Sequence, residues 1–214
     1  FHAHYQAALE VGGDFYDFIP LEEDRLGVVI GDVSGKGVAS ALYMARLTSD
    51  LRLLAIRQRD PALLVEHINN LLCVRSCRGM FVTLLYMVLD TREQTISYVN
   101  AGHLPPVLWN HREDRYELLR DVGGPPAGIV EGQRYACCTI HPRSGDCFFL
   151  STDGLIEARN SQGMHFGWER LEAAVRCGDS SVEGVHLRIT ESLKRFVQEA
   201  PQSDDVTMVL LGVN

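Results

Sequence analysis

The segment "MFVTLLYMVLD", residues 80–90, decides the fold because it is apolar on both of its alternating faces. A strand of this kind must be covered on both sides. The polar turn "TREQ" and the segment "TISYVNAG" follow directly, which predicts an antiparallel hairpin. A second sheet on one side and helices on the other would cover both faces. The two faces carry Phe81, Leu85, Met87 and Leu89, and Val82, Leu84, Tyr86 and Val88.

The rest of the chain supplies the elements that such a fold needs. The opening 30 residues predict strands joined by tight turns, and helical spacing predicts a helix from Val38 to about Arg57. Asp60-Pro61 then opens a second helix as an N-cap followed by a first-turn proline. Short strands follow, then helices over "WERLEAAVRC" and about Val182–Val197, and a final strand "VTMVLLGV". This order is not βαβ alternation, so it disfavours a doubly wound nucleotide-binding fold.

Composition narrows the class of protein. With 214 residues, of which 46% are apolar, and no repeat or linker, the chain is predicted to form one domain, 1–214. The net charge of −8 argues against nucleic acid as a partner, and a site for an anionic substrate would need positive charge from a bound cation. No apolar run approaches the roughly 18 residues of a membrane span.

Six cysteines contain no Cys-x-x-Cys pair, which makes a structural zinc site a poor interpretation. We interpret them as reduced, partly buried thiols of a cytoplasmic protein. They are Cys73, Cys77, Cys137, Cys138, Cys147 and Cys177.

Carboxylates recur at the ends of predicted strands. Asp32 ends "LGVVI", Asp153 follows "CFFL" by two residues, and Asp204-Asp205 precedes the last strand, while Asp14 follows two glycines. Solvated turn acids are the alternative for any one of them. Carboxylates that converged on one rim would repel each other unless a cation intervened. Oxygen-only ligand sets suit Mg²⁺ or Mn²⁺, and two such ions would activate a water for attack on a phosphoryl group.

Two rival phosphate sites fail on spacing or composition. In "GDVSGKG", residues 31–37, only three residues separate Gly31 from Gly35, whereas a P-loop needs four and then Lys-Ser or Lys-Thr. Lys36 is therefore interpreted as a solvated loop residue or an outer contact. Cys137 and Arg143 have the Cys-x5-Arg spacing of a thiolate phosphatase, but the intervening β-branched residues and proline predict a strand and turn.

Five ordered motifs resemble the SpoIIE-like branch of the metal-dependent PPM (phosphatase 2C-like) protein phosphatases. They are "GGDFYD", "GDVSGKGVASALYMA", "NAGHLPPVL", "STDGLIEA" and "SDDVTMVLL", and they cover nearly the whole chain. The resemblance implies an α+β fold, a four-layer αββα sandwich of two antiparallel sheets flanked by helix pairs. It also implies a site for two Mn²⁺ or Mg²⁺ ions that hydrolyses phosphoserine or phosphothreonine on a protein.

The resemblance also assigns roles to residues. Asp32 is the bridging carboxylate that holds the nucleophilic water with the metals, Asp14 and the backbone carbonyl of Val33 serve one ion, and Asp153 and Asp204 serve the other. Asp17, Gly154 and Asp205 are expected as neighbours, and Asn100 and His103 of "NAGHLPP" as structural residues.

Partners and regulation are likewise implied by the resemblance. The expected substrate is a phosphorylated anti-sigma-factor antagonist of the STAS type in a partner-switching pathway. Because the chain starts directly at its first strand, we expect an upstream sensor or receiver domain, with Leu53 and Ile56 of the first helix as candidates for a homodimer contact. The alternative is a catalytically inactive binding module of the same fold.

Overall fold

Residues 1–75, 79–110, 112–177 and 181–213 are described in the computed structural model. In chain order the strands are β1 (His2–Gln6), β2 (Asp14–Pro20), β3 (Arg25–Val33), β4 (Val82–Asp90), β5 (Thr95–Ala101), β6 (Val107–Asn110), β7 (Arg115–Leu118), β8 (Cys138–Ile140), β9 (Asp146–Ser151) and β10 (Val206–Gly212). The helices are α1 (Val38–Arg57), α2 (Pro61–Arg75), α3 (Asp153–Ile156), α4 (Gly167–Arg176) and α5 (Val182–Val197).

The fold class is α+β with two antiparallel five-stranded sheets, as expected. The chain divides into two compact units. The central unit comprises Val11–His103 and Arg120–Pro142 and holds the sheet β2-β3-β4-β5-β8 with α1 and α2. The terminal unit comprises Phe1–Glu10, Leu104–Leu119 and the segment that begins at Arg143. It holds the sheet β1-β10-β9-β6-β7 with α3, α4 and α5.

Strand β4 confirms that the decisive segment is buried on both faces. One face packs against the two helices of the central unit, and on the other face Leu85 and Met87 are also fully buried. The hairpin predicted around "TREQ" is the antiparallel β4–β5 pair. The sheet and helices α1 and α2 form one hydrophobic core. Strand β4 contributes Val82, Leu84, Tyr86 and Val88 to it, and the helices contribute Leu47, Leu51, Leu64 and Ile68.

Helix α1 has the bounds that its helical spacing predicts, and α2 begins where the capping signal predicts. The Asp60 Oδ1 atom accepts hydrogen bonds from the backbone N–H groups of Ala62 at 2.8 Å and Leu63 at 3.3 Å, and Pro61 is the first residue of α2. Side-chain acceptance at this position satisfies donors that the first helical turn leaves open. Leu53 and Ile56 of α1 point outward, with 52% and 58% of their surface exposed.

The terminal unit joins distant parts of the chain. Strand β1 pairs antiparallel with β10, so that His2 is opposite Leu210 and Gln6 is opposite Val206. Helices α4 and α5 cover this sheet with a core that includes Phe166, Leu171, Val185 and Ile189. Helix α5 has the predicted bounds, and its N-cap Ser181 Oγ accepts from the Gly184 N–H at 3.0 Å.

The cysteines agree only in part with the expectation of partly buried thiols, because Cys137 and Cys177 are exposed. Five cysteines are free thiols, namely Cys73, Cys137, Cys138, Cys147 and Cys177, while Cys77 lies outside the described residues. In the parts of the chain that the structure describes, every helix is too short or too polar to cross a membrane.

Candidate metal centre

Two of the predicted ligands face each other in the central unit. Asp14 is the first residue of β2, and it lies directly opposite Asp32, the penultimate residue of β3. Directly opposed residues of an antiparallel pair share a face, with Cβ atoms about 4.5–5.5 Å apart. Asp14 is 4% exposed, so its charge is poorly solvated. Two carboxylates at this spacing repel each other, and a cation between them would remove the repulsion.

The Val33 carbonyl lies beside the same pair because residue 13 is a glycine. A Cβ atom at Gly13 would come within 2.6 Å of the Val33 carbonyl oxygen and 3.1 Å of the Asp32 Oδ1 atom. The Val33 N–H in turn donates to the Gly13 carbonyl at 3.3 Å. The Val33 carbonyl oxygen and the Asp32 Oδ1 atom, both predicted as ligand atoms, thus lie next to Gly13. This all-oxygen set fits a hard divalent cation.

The glycines after Asp32 serve the turn into α1. Gly35 and Gly37 have φ angles of 96° and 81°, in the left-handed region that favours glycine. Ser34 fastens the start of this turn to residue 81: its N–H donates to the Phe81 carbonyl and its Oγ accepts from the Phe81 N–H, each at 2.9 Å. Lys36 is exposed, which agrees with a loop residue and not with a P-loop lysine.

The terminal unit brings together the other two predicted ligands. Strand β9 ends just before Asp153, and β10 begins just after Asp204 and Asp205. The two strands are antiparallel neighbours with Ser151 opposite Met208, so the acids lie at the same end of the sheet. Gly154 allows this approach, because a Cβ there would overlap the Asp205 carbonyl oxygen.

Charge accumulates at this end of the sheet. Desolvation by the surrounding protein raises the pKa of the Asp153 carboxyl, and the carboxylates of Glu157 and Asp204 raise it further, although the side chain remains accessible. Asp205 differs because its Oδ1 accepts from the Ala8 N–H at 2.8 Å, and its own N–H donates to the Asp204 Oδ1 at 3.0 Å. Asp205 therefore stabilises the loop that carries Asp204.

The predicted acids therefore form two pairs, Asp14 with Asp32 in the central unit and Asp153 with Asp204 in the terminal unit. Among the described residues, no group of three or more His, Cys, Asp or Glu side chains has the arrangement of a metal site. The Val33 carbonyl accompanies the first pair.

Asp17, expected only as a neighbour of the site, holds α1 to the sheet. It lies three residues after Asp14 in β2, so its side chain is on the opposite face. Its carboxylate accepts two hydrogen bonds from Arg52 of α1, from Nε at 2.5 Å and from Nη2 at 2.6 Å. This bidentate pair ties α1 to the strand that begins with Asp14.

Sequence reasoning missed one polar residue of the central unit. Thr83 of β4 lies directly opposite Asp32, and its Oγ1 atom is 2.9 Å from the Nδ1 atom of His103. His103 is held in turn by Asn100, whose Oδ1 accepts from the His103 N–H at 2.8 Å. A threonine inside an apolar strand carries no motif signal; only the strand register reveals its neighbour.

The rival thiolate site lacks the electrostatics it needs. Burial, first, and then the nearby Asp60 raise the pKa of the Cys137 thiol, whereas a nucleophilic cysteine needs a lowered pKa. Arg143 is engaged elsewhere, with its Nη1 atom 2.7 Å from a Glu113 carboxylate oxygen.

A cavity of about 370 Å³ in the terminal unit borders Asp204 of the second acidic pair. Gly154 and Asp204 line one part of it, and the cationic side chains of Arg159 and Lys194 line another. We call this space the α5 cavity, because it is lined by Thr190, Leu193, Lys194 and Val197 of α5 and by its C-cap Gln198.

Comparison with solved structures shows the fold. The chain matches the SiaA-PP2C domain of Pseudomonas aeruginosa with a TM-score of 0.86 and 21% identity, covering 100% of this chain and 85% of that one. It also matches RsbX in complex with magnesium, with a TM-score of 0.70 and 20% identity, covering 97% and 92% of the two chains.

Sequence comparison shows the family. The chain is 28% identical over 219 residues to the phosphoserine phosphatase RsbP of Bacillus subtilis, covering 99% of this chain and 51% of RsbP. It is 26% identical over 240 residues to protein IcfG of Synechocystis, covering 100% and 38%. The chain thus spans about half the length of these relatives or less. The family model for stage II sporulation protein E matches residues 22–214. The chain belongs to this SpoIIE family and has a PP2C-type fold.

Proposed function

We propose that this chain is a metal-dependent protein phosphatase that hydrolyses phosphoserine or phosphothreonine. The observation that carries the proposal is the directly opposed pair Asp14 and Asp32 with the Val33 carbonyl beside it. Membership of a family whose curated relative RsbP is a phosphoserine phosphatase supports the same activity.

In this proposal all four acids hold two Mn²⁺ or Mg²⁺ ions. Asp32 would serve both ions, Asp14 and the Val33 carbonyl would serve one, and Asp153 and Asp204 would serve the other. Bound there, the ions would supply a water nucleophile at neutral pH and neutralise the phosphoryl oxygens. The magnesium complex of RsbX, which shares the fold, supports a divalent cation. The role of the acids is to position the ions. The positive charge that an anionic phosphate needs would then come from the ions.

The surroundings of Asp32 determine how precisely it can act. Gly13 keeps the space beside its Oδ1 atom open, and the Ser34 bonds fix the chain immediately after Val33. Ligand atoms held by paired strands lose little conformational freedom when a cation binds. A rigid strand end is therefore a suitable support for a bridging ligand.

The substrate class we propose is a phosphorylated anti-sigma-factor antagonist of the STAS type, acting in the cytoplasm under control of an upstream domain. The resemblance noted in the sequence supports this class, and the free thiols agree with a reducing compartment. The α5 cavity offers space for protein residues next to the phosphoserine, and Arg159 and Lys194 would favour acidic ones.

The activity is tested by replacing Asp32 with alanine. Turnover of a phosphoserine protein and of a small aryl phosphate should require Mn²⁺ or Mg²⁺ and should fall by more than about 100-fold in Asp32→Ala, since even residues that only orient ligands cost 10–100-fold. Glu22→Ala is the matched control, an exposed acid at the other end of the β2–β3 hairpin. Full activity in excess chelator, or in Asp32→Ala, would refute metal-dependent catalysis. No metal-dependent turnover in the native protein would favour the inactive binding module.

The substrate class needs a separate test. Purified STAS-type phosphoproteins and unrelated phosphoserine proteins are incubated with the chain and Mn²⁺, and released phosphate is measured. Preferential release from the STAS-type proteins is expected. Release from the unrelated proteins alone would reject this substrate class while leaving the phosphatase activity intact.

A further inference from the structure

A row of polar side chains crosses one end of the central sheet. Asp14 of β2 is opposite Asp32 of β3, and Asp32 is opposite Thr83 of β4. Because directly opposed residues share a face, Thr83 flanks Asp32 on the side away from Asp14. The predicted bridging carboxylate thus lies between a second carboxylate and a hydroxyl.

Packing alone does not account for a threonine at this position. Along β4 the other residues of this face are Leu85, Met87 and Leu89, and their partners in β3 include Ile30 and Val28. A valine would fill the same volume without a hydroxyl to satisfy. The one polar side chain of this strand face is the one that lies opposite Asp32.

His103 fixes the position of the Thr83 hydroxyl. The Nδ1 and Oγ1 atoms are 2.9 Å apart, and the histidine is only 9% exposed. Asn100 holds the backbone of His103 from both sides, accepting from its N–H at 2.8 Å and donating to its carbonyl at 3.0 Å. Gly102, with φ of 74°, turns the chain between them. The imidazole is thus anchored through its own backbone.

The chemistry of the row sets the direction of its hydrogen bonds. An ionised carboxylate only accepts, so a hydroxyl that stabilises Asp32 has to donate its single proton toward that carboxylate. In that arrangement the Thr83 oxygen, 2.9 Å from the His103 Nδ1 atom, would accept a hydrogen bond from an Nδ1–H group. We therefore expect the Nδ1-protonated form of His103.

We propose that Thr83 and His103 are a positioning pair for Asp32: His103 holds the Thr83 hydroxyl, and the hydroxyl orients the bridging carboxylate for metal binding. The inference rests on the proposed metal-dependent function, and neither residue is assigned contact with substrate. Groups that orient metal ligands in this way commonly change metal affinity by 10–100-fold.

The test measures Mn²⁺ binding directly, by the loss of the electron paramagnetic resonance signal of free Mn²⁺. Thr83→Val should weaken Mn²⁺ binding by about 10–100-fold, and Thr83→Ser, which keeps the hydroxyl, should restore most of it. His103→Leu should weaken binding similarly, and the double variant should lose little more than either single one, because the two residues act as a unit. Nitrogen-15 NMR of the native protein should show Nδ1–H on His103.

Thr139→Val is the matched control. Thr139 lies in the same sheet and shares a 2.8 Å hydroxyl pair with Ser97, so it loses the same kind of bond without approaching Asp32 in the register. Native Mn²⁺ affinity in folded Thr83→Val, or an equal loss in Thr139→Val, overturns the positioning role alone. If Thr83→Val does not fold, the Mn²⁺ affinities of His103→Leu and Thr83→Ser are compared instead. Native Mn²⁺ affinity in folded His103→Leu then overturns the positioning role. Absence of Mn²⁺ binding by the native protein overturns the proposed function, and this inference with it.

Discussion

Replacing Gly13 with alanine should disable metal binding by displacing the Val33 carbonyl. The new Cβ would lie 2.6 Å from the Val33 carbonyl oxygen, whereas ordinary contact begins at 3.4 Å. The oxygen would therefore have to retreat by about 0.8 Å, and metal ligands tolerate only about 0.2 Å. A misplacement near 1 Å at an active site costs about 100-fold in rate. We expect a loss of this size in turnover, accompanied by weaker Mn²⁺ binding.

The assay follows turnover of a small aryl phosphate as Mn²⁺ is titrated, with circular dichroism and thermal unfolding to establish that the variant folds. Gly123→Ala is the matched control, because it lies in the same unit and a Cβ there would meet nothing within 4 Å. Neither glycine has a φ angle in the left-handed region. A folded Gly13→Ala with native Mn²⁺ dependence and turnover would refute the assignment of the Val33 carbonyl and Asp32 as neighbouring ligands.

Two further predictions concern the terminal unit. Lys194→Glu should raise KM for a phosphoserine protein with acidic flanking residues by about fivefold, the scale of one exposed ion pair, and leave KM for a small aryl phosphate unchanged. Arg195→Glu, the same change at the next residue of α5 but outside the α5 cavity, is the control, and equal effects in the two variants would contradict the proposed role. The second prediction rests on His186, where burial and then the rings of His2 and His4 lower the pKa from 6.5 to about 4. The unfolded chain then binds a proton that the folded chain does not, so the contribution of His186 to the free energy of unfolding should fall as pH drops from 6.5 toward 4 and level off below that. His186→Gln should flatten this dependence in urea unfolding, and His141→Gln, at an exposed position, should not; parallel curves for His186→Gln and the native protein would show that the cluster of His2, His4 and His186 is not responsible.

Local signals were sufficient wherever neighbouring residues decide the outcome. The Asp60-Pro61 pair marks the start of α2 because a cap and a first-turn proline act within one helical turn. Period-3.6 spacing gives the bounds of α5 for the same reason. The short helix α3 escaped prediction, since four residues carry no detectable period. The candidate acids could be listed because each follows or precedes a recognisable strand.

By itself, the sequence determined the four longer helices, the main strands and which acids stand at strand ends, because these properties depend on alternation, helical spacing and capping over a few residues. Only the tertiary structure decided which strands pair with each other and which side chains are neighbours. Alternation assigns a side chain to a face but does not say which strand lies beside it, and β1 and β10 pair across about two hundred residues of chain. The same holds for Asp32, whose neighbours Asp14 and Thr83 follow from strand register, and for Asp17, whose partner Arg52 comes from a helix packed on the sheet.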